Sequence, residues 1–143
     1  MRSPNARSAA APGLGAFIRG IILYEKSLGQ RSDDGTPLPE LVARLGLVPG
    51  IKVDLGTIAL AHAPGDEITH GLDGLANRLS DDKGQGARFA KWRAAYNVSG
   101  TRPSRLAIEA NADALARYAA ICHNEDVVPI VEPEMLMDGG HTL

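Results

Sequence analysis

A chain of 143 residues with 44% apolar and 22% charged residues has the make-up of one globular domain and excludes intrinsic disorder as the default. A formal net charge of -2 provides no basic field for nucleic acid, and no apolar run approaches the roughly 20 residues of a membrane helix, so neither partner is expected. Cys122 is the sole cysteine, which rules out a disulfide within the chain and fits a reducing compartment.

The opening residues MRSPNARSA carry Arg2 and Arg7 and no acid. They are short and lack the amphipathic stripe of a transit peptide, so residues 1–11 are expected to be divergent or disordered, ahead of one domain over 12–143. Residues 18–23 are nearly all apolar, and 21–24 suit a short strand covered on both faces. The polar stretch 30–39, with Asp33-Asp34-Gly35 and two prolines, reads as a loop. A short helix follows, opened by Pro39 and closed by Gly46. The second strand is placed at 51–55, with Lys52 and Asp54 on one face and Val53 on the other.

Residues 59–65 read as a loop. Leu72, Leu75, Ala76 and Leu79 then recur at i, i+3, i+4 and i+7, which predicts a helix capped by Thr69 and ended by Gly84 and Gly86. The third strand is Phe89-Ala90-Lys91-Trp92-Arg93, in which Phe89, Lys91 and Arg93 share a face while Ala90 and Trp92 take the other. Pro103 and Ser104 open the longest helix; its apolar stripe is read as Ile108, Ala112, Leu115, Ala119 and Cys122, with Asn111 elsewhere on the circumference. A fourth strand at 127–131 runs into Glu132-Pro133-Glu134. Strands separated by roughly 30 to 40 residues of helical connection have the rhythm of βαβ units and predict a parallel sheet. That sheet belongs either to an open doubly wound fold or to part of a (β/α)8 barrel. No Gly-rich phosphate fingerprint follows the first strand, which weighs against dinucleotide binding.

Charge pairs at i, i+2 recur on three of these strands: Lys52 with Asp54, Lys91 with Arg93, Glu132 with Glu134. In parallel α/β folds the strands converge on one mouth, so these pairs are expected to meet as a site. A lysine beside another cation in a partly dry pocket yields an amine able to attack a carbonyl, and Arg93 offers a planar fork to phosphate or carboxylate. Glu132 and Glu134 are expected to repel, keeping one protonated as a general acid while the other pairs with a lysine. The implied substrate is an anionic, phosphorylated carbonyl compound. His62, His70, His123 and His141 lack ligand spacing, so no metal or other cofactor is expected.

At these residues a family resemblance becomes specific. GIKVD at 50–54, GLDGL at 71–75, FAKWR at 89–93, NADALARYAAIC at 111–122 and VPIVEPE at 128–134 resemble class I fructose-bisphosphate aldolase, in that family's order and spacing, and APGLGAF, PGDEITHGLDGL and MLMDGGHTL resemble its bacterial members. The resemblance implies a TIM barrel, (β/α)8, of which this chain carries about strands two to five, half a barrel. It also implies a cytoplasmic glycolytic lyase that cleaves fructose 1,6-bisphosphate to dihydroxyacetone phosphate and glyceraldehyde 3-phosphate through a lysine Schiff base, without a metal, in a homo-oligomer. On the same basis Lys52 and Arg93 resemble the substrate-contacting and phosphate-binding cations, Lys91 the lysine assisting carbinolamine formation and dehydration, Glu132 the principal acid/base, and Glu134 the acid that holds the charge network.

Departures accompany the likeness. Leu55 stands where a lysine is usual, Lys26 where a glutamate is usual, and Gly140 where an aspartate is usual. The family's Schiff-base lysine lies in an LLKPN-like strand beyond VPIVEPE, which the sequence does not reach at Leu143. The isolated chain is therefore expected to be inactive; the alternative is a non-catalytic half-barrel binding or interaction module, whose open sheet edges would invite edge-to-edge association.

Overall fold

The computed structural model describes residues 13–138, so the expectations for 1–11, Gly140 and His141 lie outside the described residues. After a 3-10 turn, Leu14–Ala16, come β1 (Gly20–Leu23), α1 (Glu25–Leu28), α2 (Leu38–Arg44) and β2 (Val48–Lys52). A short ribbon of β3 (Thr57–Ala59) and β4 (Glu67–Thr69) precedes α3 (Leu75–Gly84), β5 (Phe89–Tyr96), α4 (Arg105–Asn124) and β6 (Val128–Met135).

The main sheet is parallel throughout, in the order β1-β2-β5-β6. Each new strand is added on the same side as the last. A doubly wound sheet reverses its order at a switch point, and this one does not, so the progression is that of a barrel wall. Four strands make an open arc rather than a closed barrel.

Alternation within the strands puts the core on one face of the arc. Leu23, Ile51, Ala90, Trp92 and Ala94 are buried together with Leu28, Leu38, Val42, Leu75, Leu79, Leu115, Tyr118 and Cys122 from the helices. Trp92 and Tyr118 anchor this layer, their ring centroids 5.4 Å apart. Each large apolar side chain fully removed from water contributes about 1.5–3 kcal/mol, and Trp92, Leu38, Val42 and Leu79 have essentially no exposed surface. The same burial pushes the Cys122 thiol up to about 11, which makes it a small core hydrophobe rather than a nucleophile. The opposite face carries Phe89, Lys91 and Arg93, as the alternation predicts.

Local chemistry places the helix ends. Pro37 and Pro39 open α2, and Gly46, at φ 77°, turns the chain out of it. The Ser104 hydroxyl caps α4 by accepting from the Ala107 N–H at 3.2 Å.

Three expectations need correction. The second strand runs Val48–Lys52 rather than 51–55, so Asp54 lies past its end, and it takes in Pro49 and Gly50, which propensity disfavours. Gly50 is used because the Phe89 ring lies directly over it, where any Cβ would collide. Residues 59–65 form the expected loop apart from Ala59, the last residue of β3: they join β3 to β4 of the antiparallel ribbon, and Leu60 N–H donating to Asp66 O at 2.9 Å closes the turn. Thr69 belongs to β4 and caps nothing; Gly71 at φ 126° and Gly74 at φ 66° delay the helix to Leu75. On α4 the buried stripe is Ala107, Asn111, Ala114, Leu115, Tyr118 and Cys122. Ile108 and Ala112 face outward because the helix rolls to bury Tyr118 against Trp92 and admits a polar Asn111 in the same stripe.

Candidate functional site

Strand register decides which charges meet. Lys52 lies opposite Lys91, and Lys91 opposite Ile130; one step along the face, Arg93 lies opposite Glu132, and then Ala95 opposite Glu134. All five predicted site residues, Lys52, Lys91, Arg93, Glu132 and Glu134, therefore come from three adjacent strands and share the helix-free face. Lys91 and Arg93 sit mid-strand in the eight-residue β5, and Glu132 and Glu134 in the second half of the equally long β6, so these pairs line the face of the arc.

Every cation on this face takes an acid two residues further along. Lys52 is bonded to Asp54, Lys91 stands 2.6 Å from Glu132, and the Arg93 Nε–H donates to Glu134. The constant offset gives each cation its own acid, so the like-charged neighbours Lys52 and Lys91 are each compensated. It also corrects the expected repulsion between Glu132 and Glu134, because the two acids serve different cations. The hydrogen bond from Arg93, with the Coulombic pull of Arg93 and Lys91, holds the Glu134 carboxyl below the usual carboxylate range. The same bond raises the Arg93 guanidinium further, so this pair is ionised at neutral pH.

Glu132 differs from its neighbour. Its Oε2 is buried, stands 2.6 Å from the Lys91 ammonium and has no other partner among the described residues. That oxygen has a lone pair available to a proton from elsewhere, the arrangement a general acid/base requires.

Asp54, whose side chain is 2% exposed, ties the strands together: besides Lys52 it accepts from the Gly56 N–H and the Arg93 N–H, both at 3.2 Å. A cleft of about 310 Å³ opens beside it between β2, α1 and α3. Lys26 and Leu55, two positions where the family resemblance fails, both line this cleft. Arg78, which also lines it, donates to Val53 O, Gly71 O and Asp73 O at 3.2, 2.6 and 2.8 Å and so clasps the end of β2. Among the described residues no group of three His, Cys, Asp or Glu side chains is arranged to hold a metal ion, and no helix is long and apolar enough to cross a membrane.

Sequence reasoning did not single out Arg78, Thr69 or Asn111 as supports of this site. Asn111 is fully buried in α4 and donates to Glu67 O and Ala107 O at 2.9 and 3.1 Å while accepting from the Thr69 N–H at 3.2 Å. Only Asn111 left a signal: the stripe through Tyr118 and Leu115 contains it, once the aromatic is preferred to Ala119.

With this geometry in view, the comparisons with known proteins are specific. The family model for fructose-bisphosphate aldolase class-I matches residues 8–143. A probable fructose-bisphosphate aldolase class 1 of Xanthomonas campestris is 50% identical over 132 residues, covering 92% of this chain and 40% of that protein. Fructose-bisphosphate aldolase 6, cytosolic, of Arabidopsis thaliana is likewise 50% identical over 132 residues, 92% of this chain and 37% of its own. The fructose-bisphosphate aldolase of Plasmodium falciparum, solved in a ternary complex with TRAP and a small-molecule inhibitor, superposes with a TM-score of 0.90 at 43% identity, over 94% of this chain and 39% of that one. The chain thus spans about 40% of the length of the relatives it matches.

Proposed function

This chain belongs to the class-I fructose-bisphosphate aldolase family, and on that premise we propose that its charged, helix-free face is part of an aldolase substrate site for fructose 1,6-bisphosphate. The observation that carries the reading is the row of three ion pairs at one offset, which presents three cations on a concave arc to an anionic ligand. Lys52 and Arg93 take the substrate and its phosphate, exchanging Asp54 and Glu134 for phosphate oxygens. Lys91 assists the carbinolamine and dehydration steps from beside the carbonyl. Glu132, whose buried oxygen has Lys91 as its one partner among the described residues, moves the proton, and Glu134 keeps Arg93 in place until substrate arrives.

The imine-forming lysine of the family sits in an LLKPN-like strand, a stretch that residues 1–143 do not contain, and four strands do not close a barrel. The isolated 143-residue chain is expected to bind without turning over. Calorimetry with fructose 1,6-bisphosphate tests binding: Lys52→Ala and Arg93→Ala should each weaken it by roughly tenfold or more, the cost of one charge-assisted hydrogen-bonding partner. Equal affinity in both variants would overturn the assignment. Borohydride trapping with dihydroxyacetone phosphate should leave no adduct; an adduct on Lys91 together with turnover would show that this face carries its own nucleophile. A cytoplasmic setting is supported by the cytosolic Arabidopsis relative.

A second reading, a non-catalytic interaction module, is favoured by one observation: Ile22, Val48, Val128 and Ile130 share the helix-free face and are each at least 40% exposed. On that reading the arc associates with a second copy through its edges.

A further inference from the structure

Arg93 sits where β5 loses its β2 neighbour. Pairing between the two strands covers Gly50 with Phe89, Ile51 with Ala90 and Lys52 with Lys91, and closes with the Val53 N–H donating to Lys91 O at 3.1 Å. On its other side β5 continues to pair with β6 as far as Tyr96. The peptide groups of Arg93 that point toward β2 therefore have no strand to meet, and buried peptide groups do not stay unpaired without cost. Two side chains take the place of the strand. The Arg93 N–H donates to Asp54 Oδ2 at 3.2 Å, and its carbonyl accepts from the Thr69 hydroxyl at 2.8 Å.

Neither side chain is free to drift. Asp54 is held by the Gly56 N–H and Lys52, and the Thr69 N–H is fastened to the fully buried Asn111 of α4. The chain of contacts runs from the helix layer, through the β3–β4 ribbon, to the backbone from which the Arg93 guanidinium projects. A peptide gripped by side chains from the segment after β2 and from β4 carries the placement of both to that guanidinium. Resting on the reading of Arg93 as a phosphate-binding cation, we infer that Thr69 and Asp54 are positioning residues that set the Arg93 side chain, with Thr69 the one that acts on Arg93 without also holding Lys52.

The test uses the isotopically labelled 143-residue chain. Thr69→Val removes the hydroxyl at nearly constant volume, and Thr69→Ser restores it. The Arg93 Nε–H proton, which donates to Glu134, reports side-chain placement by NMR with no ligand present. Inorganic phosphate titration reports the consequence. Thr69→Val should shift the Nε–H signal, speed its exchange and weaken phosphate binding by roughly three- to tenfold, the scale of one lost hydrogen bond. Thr69→Ser should restore both, whatever either substitution does to thermal stability. A Thr69→Val chain with the parent's Nε–H signal, or a Thr69→Ser chain that fails to recover it, would overturn the inference. If the parent chain binds no phosphate, the substrate-site reading fails, and the Nε–H signal alone then decides whether Thr69 positions Arg93.

Discussion

Asp82 is the side chain whose protonation sets a pH dependence for the fold. It is buried in α3 against the cleft; burial first, then the charges of Glu25 and Asp81, push its carboxyl up to about 6, while Arg78 pulls it the other way. Between the unfolded value of 3.8 and about 6 the folded chain binds more protons than the unfolded one, so stability falls as pH rises through that window. Asp82→Asn keeps the shape without the charge and should raise stability at pH 7 by about 1–3 kcal/mol, with little gain at pH 4. Urea midpoints at the two pH values check this; an equal change at both would place the effect in packing. Glu134 has the opposite sign. Arg93 lowers its carboxyl, so its contribution is present above the ordinary carboxylate range and is lost as pH falls through the lowered value.

Among the elements, β2 and α4 depend on single small contacts. Gly50 lies beneath the Phe89 ring, and Gly20 on β1 is nearly as close to it, so Phe89 covers two strands at positions where side chains are absent. Gly50→Ala forces the ring aside and should destabilise the chain by about 1–3 kcal/mol, the usual cost of overpacking. Thermal unfolding measures the loss, and a Gly50→Ala, Phe89→Ala double variant that recovers part of it would assign the loss to the clash. Ser104→Ala removes the cap of α4 and should cost about 1 kcal/mol, read from the same melting curves.

For the molecule as a whole, the consequence of an arc is its exposed edges. Among the described residues β1 and β6 each have a side without a strand, and the apolar residues of the helix-free face lie on and between them. The isolated chain should self-associate with rising concentration, and Val128→Lys with Ile130→Lys should suppress this, since charge on an edge strand opposes pairing. Sedimentation velocity reads the outcome; a parent chain monomeric at every concentration would count against the interaction-module reading. Periodicity alone carried the four parallel strands, the face shared by Lys91 and Arg93, and the helix opened at Ser104, because strand alternation and helix caps are properties of neighbouring residues. The motifs around Lys52, Lys91, Arg93, Glu132 and Glu134 likewise carried the family, since five stretches in register record ancestry in linear order. Which acid serves which cation depended on the register of β5 against β6, a long-range quantity that no local pattern encodes. The same holds for Asn111 and Thr69: a polar residue on an apolar stripe and a threonine before a helix have no fixed meaning until packing against Trp92 turns the helix and the ribbon folds over Arg93. Tertiary structure decided these because each is a contact between residues 24 or more positions apart, closed only when the helices have settled on the sheet.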